Sequence, residues 1–201
     1  MVKREMYMKR IRPFIGTDLI KVMTGIRRSG KSVMLELIKQ ELIDSGVSSS
    51  QFISINFEDM RYTHLQTAKA LYDEISSRSA GIDGKIYLFF DEIQEAPKAL
   101  ASLKYFYENA PQYFIIAAGS LLGVALHQGT SFPVGKVDFL KLCPMSFSEF
   151  LLAVGENGLY ETFKAQDYEL INAYAGKYVD LLKKYYYVGG MPEVVQTYID
   201  S

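Results

Sequence analysis

A glycine-rich segment of the sequence has the residue types and spacing of a phosphate-binding loop. It reads Gly, four residues, then Gly-Lys-Ser, the pattern called Walker A. Glycines let backbone N–H groups approach the phosphates of a nucleotide, a lysine reaches the β- and γ-phosphates, and a serine hydroxyl binds Mg²⁺. We therefore predict that Lys31 contacts the phosphates and Ser32 the metal. The predicted nucleotide-binding residues are Gly25, Ile26, Arg27, Arg28, Ser29, Gly30, Lys31, Ser32 and Val33.

The segments on either side of this loop favour a real site over a chance match. Residues 19–24 have the character of a strand, and residues 32–42 place Met34, Ile38 and Leu42 on one face of a helix. The order strand, loop, helix puts the phosphates at a helix N-terminus, where the helix dipole favours anions.

An acidic pair follows the apolar run at residues 86–90 and resembles a Walker B motif. Asp91 would hold Mg²⁺ opposite Ser32, and Glu92 would orient and activate the attacking water. The alternative is that both carboxylates cap the following helix. The Walker A pattern upstream favours the catalytic interpretation.

Ser120 is a third candidate catalytic residue beside Lys31 and Glu92. It follows a strand predicted at residues 113–118, where ATPases with a strand inserted between Walker A and Walker B carry a polar sensor of the γ-phosphate. Ser120 would also serve as the N-cap of a helix predicted over 121–126. The two roles are compatible, and the sequence leaves both open.

The alternation of strands and helices predicts an α/β fold: a P-loop NTPase with a five-stranded parallel sheet flanked by helices. The last strand, at residues 136–142, is expected to be more exposed, with Val137, Phe139 and Leu142 on its apolar side. We divide the chain into an ATPase core, 1–145, and a small C-terminal helical extension, 146–201. Residues 1–18 of the core are predicted either to lie near the nucleotide or to form a solvated basic segment whose apolar residues pack on the core. The extension begins with a capping box at Ser146 and Glu149, continues in a Tyr-rich helix over 159–187, and is expected to be truncated.

Composition excludes several classes of protein. The net charge is −1, so the chain has no overall basic footprint for nucleic acid, and DNA is supported only weakly, by the basic residues near the N-terminus. The single cysteine, Cys143, fits a reducing cytosol, and no apolar run is long enough to span a membrane. We therefore expect a cytoplasmic protein that does not enter the membrane.

The remaining motifs favour ATP hydrolysis over other phosphate chemistry. No Asn-Lys-x-Asp motif for guanine occurs, and Arg78 is the one arginine between Tyr62 and Ser201, so the arginine-rich lid of small-molecule kinases is missing. The candidates for an arginine finger are Arg27, Arg28 and Arg61. We therefore predict Mg²⁺-dependent ATP hydrolysis that is slow in isolation and that drives or switches an unknown partner. A nucleotide-gated protein- or DNA-interaction module with negligible hydrolysis is the alternative, and a phosphotransferase is disfavoured.

Several segments together resemble a prokaryotic family of AAA-superfamily ATPases. They lie at residues 24–32, 89–94, 119–120, 139–151 and 189–194, so the resemblance covers nearly the whole chain. It implies that the chain binds ATP and ADP and corresponds to the N-terminal ATPase domain of proteins that usually carry a C-terminal domain of unknown function. We also expect an unidentified protein partner and leave a homo-oligomer open, because the sequence lacks the obvious finger arginine and the C-terminal sensor arginine of ring-forming relatives.

Overall fold

The computed structural model of the chain describes residues 4–120 and 136–201. The helix predicted over 121–126 lies outside these residues. The strands are β1 (Ile20–Gly25), β2 (Phe52–Asn56), β3 (Ile86–Asp91), β4 (Tyr113–Gly119) and β5 (Val137–Leu142). The helices described are α1 (Glu5–Ile11), α2 (Lys31–Asp44), α3 (Ala68–Ser79), α4 (Pro97–Asn109), α5 (Phe147–Ala153), α6 (Asn157–Ala165), α7 (Tyr168–Ala173), α8 (Ala175–Val188) and α9 (Pro192–Asp200).

The five strands form one sheet in the order β2-β3-β4-β1-β5, and every pair is parallel. The predicted α/β fold and parallel sheet are therefore confirmed. The observed strands begin or end no more than one residue away from the predicted positions. β4 lies between β1, which leads into the Walker A loop, and β3, which ends at Asp91. Because parallel strands end at the same edge, this order brings both motifs and the end of β4 to one edge of the sheet.

The sheet is buried on both faces because its central strands are nearly continuous apolar runs. In β3, Leu88 and Phe90 point to a core that includes α3 and α4. Tyr87 and Phe89 point to the opposite core, which includes α1 and α2. Strand side chains alternate between faces, so an uninterrupted apolar strand requires cover on both sides.

Lys21 is an exception inside this apolar strand environment. It lies in β1 between Ile116 of β4 and Asp138 of β5, and its residue exposure is 1%. The ammonium donates to the carbonyl oxygen of Thr17 at 2.6 Å. Burial lowers the pKa of Lys21 from 10.5 to about 8, against the opposing charges of Asp18 and Asp138.

β5 is an edge strand, and one detail of its predicted pattern is wrong. Leu140 and Leu142 are buried, whereas Phe139 is 44% exposed. Side chains two apart share a face of a strand, so Leu142 shares its face with Leu140, and Phe139 lies on the other face with Val137. The apolar residues of β5 did not alternate strictly in the sequence, so they were compatible with either face. In the structure, the face that carries Leu140 and Leu142 is the buried one.

The described residues fall into two compact units. The sheet unit contains Glu5–Ile26 and the residues described within Lys31–Leu142, and the helical unit contains Arg4, Arg27–Gly30 and Cys143–Ser201. The domain boundary at 145 stays a prediction.

The helical unit corrects one prediction and confirms another. The Tyr-rich stretch forms three helices, α6, α7 and α8, instead of one over 159–187. Gln166 adopts a left-handed conformation with φ 56°, and the Asp167 side chain accepts from the N–H of Leu170, so one helix ends and another begins there. The capping box of Ser146 and Glu149 is present at the start of α5.

Candidate nucleotide site

The Walker A segment forms the connection between β1 and α2. β1 ends at Gly25 and α2 begins at Lys31, as the strand-loop-helix pattern predicts. Gly30 has φ 93°, a left-handed conformation that favours glycine, and Arg28 also has a positive φ of 65°. A loop of this kind turns successive N–H groups toward one side, as an anion-binding nest does.

Lys31 is buried, and its ammonium is held by the loop itself. Nζ donates to the carbonyl oxygens of Gly25 at 3.3 Å and Ile26 at 3.1 Å. The residue is 3% exposed. Its side chain thus folds back over the loop, where its charge is available to a bound phosphate.

Ser32 and Asp91, the two residues predicted to hold the metal, lie near each other, one at the start of α2 and the other at the end of β3. Burial raises the pKa of Asp91 above its ordinary value. The nearby Ser32 hydroxyl opposes this rise, the charge of Glu92 adds to it, and the charge of Lys31 opposes it. A buried carboxylate next to a hydroxyl is a fitting partner for a cation.

The two oxygen ligands fit Mg²⁺ in the way nucleotide-binding proteins use it. Mg²⁺ is usually held by one or two protein oxygens, with phosphate oxygens and water completing its shell. Within residues 4–120 and 136–201, no group of three or more His, Cys, Asp or Glu residues is placed to hold a metal ion. If Ser32 and Asp91 hold Mg²⁺, the phosphates of a nucleotide and water would supply its other ligands.

Glu92, Gln94 and Ser120 form one polar cluster after β3 and β4. Gln94 Nε2 donates to Glu92 Oε2 at 2.7 Å, and the Ser120 hydroxyl lies 3.5 Å from the same oxygen. Glu92 has a left-handed backbone with φ 46° and makes no side-chain capping hydrogen bond, so its carboxylate is not used as the cap of the following turn. The structure thus brings together Glu92 and Ser120, and it adds Gln94, which the sequence motifs did not single out.

The remaining predicted nucleotide-binding residues lie at the surface of the loop. Ile26 and Val33 are 52% and 41% exposed. Arg27 and Arg28 are also exposed, and Arg28 Nε lies 3.8 Å from Glu193 Oε2. Ser29 is fully buried, and its hydroxyl oxygen has no hydrogen-bond partner within the described part of the chain.

Of the three candidate finger arginines, Arg61 is paired locally. Its Nη2 lies 2.6 Å from Asp59 Oδ2, and both residues belong to the turn that follows β2. This pairing keeps the guanidinium beside its own turn.

Sequence reasoning did not identify the residues that contact the Walker A loop from distant parts of the chain. Arg4 donates to the carbonyl oxygen of Ser29 at 3.0 Å and pairs with Glu149. Pro192, at the start of α9, packs against Gly30: a Cβ added to Gly30 would lie 3.4 Å from the ring of Pro192. The only signal in the sequence was that Glu149 and Pro192 fall within segments carrying the family resemblance.

None of the helices that the structure describes combines the length and the apolar character needed to cross a bilayer.

Comparisons with known proteins agree with this geometry. A family model described as an AAA domain matches residues 17–151. An uncharacterized protein of Haemophilus influenzae is 31% identical over 156 residues, which cover 76% of this chain and 38% of that protein. The chain thus spans about two fifths of the length of this relative.

Solved structures show the same fold at low sequence identity. The Hsp104–casein complex of Saccharomyces cerevisiae matches with a TM-score of 0.58 at 16% identity, covering 99% of this chain and 37% of that chain. Cdc6p of Pyrobaculum aerophilum matches with a TM-score of 0.53 at 15% identity, covering 74% of this chain and 47% of that chain. With the family model matching most of the sequence, the chain belongs to the AAA superfamily of P-loop ATPases.

Proposed function

We propose that this chain binds ATP with Mg²⁺ and hydrolyses it to ADP and phosphate. The observation that carries the proposal is the position of Ser32 of Walker A beside Asp91 of Walker B, at the edge of the sheet where β1 and β3 end. Lys31 at the start of α2 would bind the β- and γ-phosphates, with the N-terminal helix dipole adding to the attraction.

In this proposal Glu92 accepts a proton from the attacking water. Its carboxylate follows directly on Asp91, and Ser120 contacts it, so a γ-phosphate at Ser120 would lie close to the base. When bound, Mg²⁺ supplies electrostatic stabilisation of the charge that develops on the transferred phosphoryl group. Ser120 would then position the γ-phosphate relative to the water.

We further propose that turnover of the isolated chain is slow, below about one per second, because an arginine finger contributes roughly 10³–10⁵ in rate. Of the three candidates, Arg61 is paired with Asp59, and Arg27 and Arg28 are exposed side chains of the Walker A loop itself. An arginine from a neighbouring copy or from a partner protein would raise the rate. An unidentified protein partner fits this proposal best, and DNA is the weaker candidate.

The test compares Glu92→Gln with the wild type. Removing a general base typically costs about 10²–10⁴ in rate, so phosphate release should fall by that factor while the affinity for ATP stays within about twofold. The same substitution at Glu108, on the surface of α4, is the matched control and should leave both quantities unchanged.

Each outcome has a clear meaning. Unchanged turnover in Glu92→Gln contradicts the assignment of the base. Intact ATP after long incubation of the wild type with Mg²⁺ favours a nucleotide-gated interaction module. Phosphate transfer that appears only with a second small substrate would favour a phosphotransferase.

A further inference from the structure

Arg4 belongs to the basic N-terminal segment of the sequence, yet its charged side chain is buried. The residue is 4% exposed, and its partner Glu149 is 8% exposed. Nε donates to Glu149 Oε1 at 2.9 Å and Nη2 to Oε2 at 3.0 Å, so the pair is bidentate. A buried ion pair offsets its desolvation only when the remaining donors and acceptors are also satisfied.

The guanidinium of Arg4 meets this condition with backbone acceptors. Nη1 donates to Ser29 O at 3.0 Å and to Cys143 O at 2.9 Å, and Nη2 lies 3.5 Å from Pro144 O. A guanidinium has five N–H donors, and these contacts use all of them. One side chain therefore joins the Walker A loop, the segment after β5 and the helix α5.

Glu149 is itself held in one position. Its Oε2 accepts from the backbone N–H of Ser146 at 2.9 Å, the capping-box bond at the start of α5. The carboxylate is thus fixed by its own helix, and it fixes the guanidinium in turn. A bidentate arginine pair constrains orientation as well as distance.

The bond to Ser29 has a consequence for the phosphate site. A trans peptide unit is planar, so the carbonyl of Ser29 and the N–H of Gly30 point in opposite directions. By holding the carbonyl, Arg4 directs the Gly30 N–H to the other side of the peptide. Walker A loops bind phosphates with N–H groups of this kind.

We propose that Arg4, oriented by Glu149, is a positioning residue for nucleotide binding, which acts by fixing the Ser29–Gly30 peptide of the Walker A loop. The inference rests on the proposed function, since it assumes that this loop binds phosphates. In this proposal Arg4 acts through the Ser29–Gly30 peptide and not by contact with the nucleotide. Its effect should appear in the affinity for both ATP and ADP, because the loop contacts phosphates that the two ligands share.

The test is a double variant, Arg4→Met with Glu149→Gln. It removes both charges together, so no unpaired charge is left buried, and glutamine keeps the capping box. Losing one well-directed hydrogen bond to a charged phosphate should weaken binding of Mg-ATP and Mg-ADP about 10- to 100-fold. Binding is measured by isothermal titration calorimetry, and folding by circular dichroism and thermal unfolding.

Three comparisons separate positioning from mere structural support. Arg12→Met removes an arginine that pairs with Glu5 and Glu41 at the surface, and it should leave the affinity unchanged. Arg4→Lys keeps the charge, but its shorter side chain has three donors on one nitrogen and cannot reproduce the bidentate pair with Glu149 together with the bonds to Ser29 and Cys143, so it should lose affinity as the double variant does. In ¹⁵N spectra, the Gly30 amide should move on adding Mg-ADP to the wild type and much less in Arg4→Lys.

The outcomes for this inference and for the proposed function differ. A wild type that binds neither ATP nor ADP contradicts the proposed function. A wild type that binds both, with a folded double variant or folded Arg4→Lys of unchanged affinity, overturns the role of Arg4 alone.

Discussion

Replacing the buried Lys21 by methionine should remove a pH dependence of stability. The folded chain keeps Lys21 in β1 at 1% exposure, with a pKa lowered to about 8 by burial. The unfolded chain exposes the same lysine to water, where its pKa is about 10.4. Between these two values the unfolded state binds more protons, so the free energy of unfolding rises with pH.

The size of the effect follows from the two pKa values. A decrease from 10.5 to about 8 corresponds to at most about 3 kcal/mol, at about 1.36 kcal/mol per pKa unit. This stability is fully present above the unfolded pKa and is lost as pH falls through the folded pKa. From pH 7.5 to 9.5 the wild type should gain about 2 kcal/mol relative to Lys21→Met.

The assay is urea unfolding of both proteins at several pH values, followed by circular dichroism. The range stops at pH 9.5 because burial raises the pKa of Tyr87, Tyr178 and Tyr185, whose ionisation would destabilise the folded chain at higher pH. Lys69→Met, a change at a side chain 84% exposed, should follow the wild type. If the difference between wild type and Lys21→Met does not change with pH, the burial argument for Lys21 is refuted.

Two further predictions concern Gly190 and Ser120. A Cβ at Gly190 would collide with the backbone of Met145, whose N–H donates to Gly190 O at 2.6 Å, so Gly190→Ala should lower the free energy of unfolding by about 1–3 kcal/mol. In urea unfolding, Gly176→Ala in α8 is the control, with nothing within 4 Å of the new Cβ, and a loss of equal size there would contradict the steric reasoning. Ser120→Ala should slow ATP hydrolysis about tenfold and leave ADP affinity unchanged, since Ser120 contacts the Glu92 carboxylate. Phosphate release at the wild-type rate would show that Ser120 is no sensor.

Sequence alone was sufficient for the features that depend on neighbouring residues. The apolar run of β3 and the glycine spacing before Lys31 each follow from local patterns, and parallel strands then placed Ser32 and Asp91 at one edge. This is why the fold class and the position of the two motifs at one edge of the sheet could be predicted together.

The features that escaped prediction depend on distant or competing contacts. Arg4 and Glu149 are 145 residues apart, so no local spacing indicates their ion pair. The break at Gln166 depends on which of two local hydrogen-bond arrangements prevails, a continued helix or the cap at Asp167. Phe139 was assigned to the wrong face because the edge strand offered apolar residues on both faces.

The hydrogen bonds of Lys31 bear on which ligands the loop can bind, because a ligand would replace backbone carbonyl oxygens as acceptors for Nζ. The ammonium donates to the carbonyl oxygens of Gly25 and Ile26, so a ligand that draws Nζ away from them must offer stronger acceptors. Charged phosphate oxygens form stronger hydrogen bonds than neutral carbonyls, but a ligand must carry them far enough along its phosphate chain to reach Nζ. The loop would thereby distinguish ligands by the length of their phosphate chain and not by their nucleobase. Adenosine or AMP would not displace the lysine from its carbonyl acceptors.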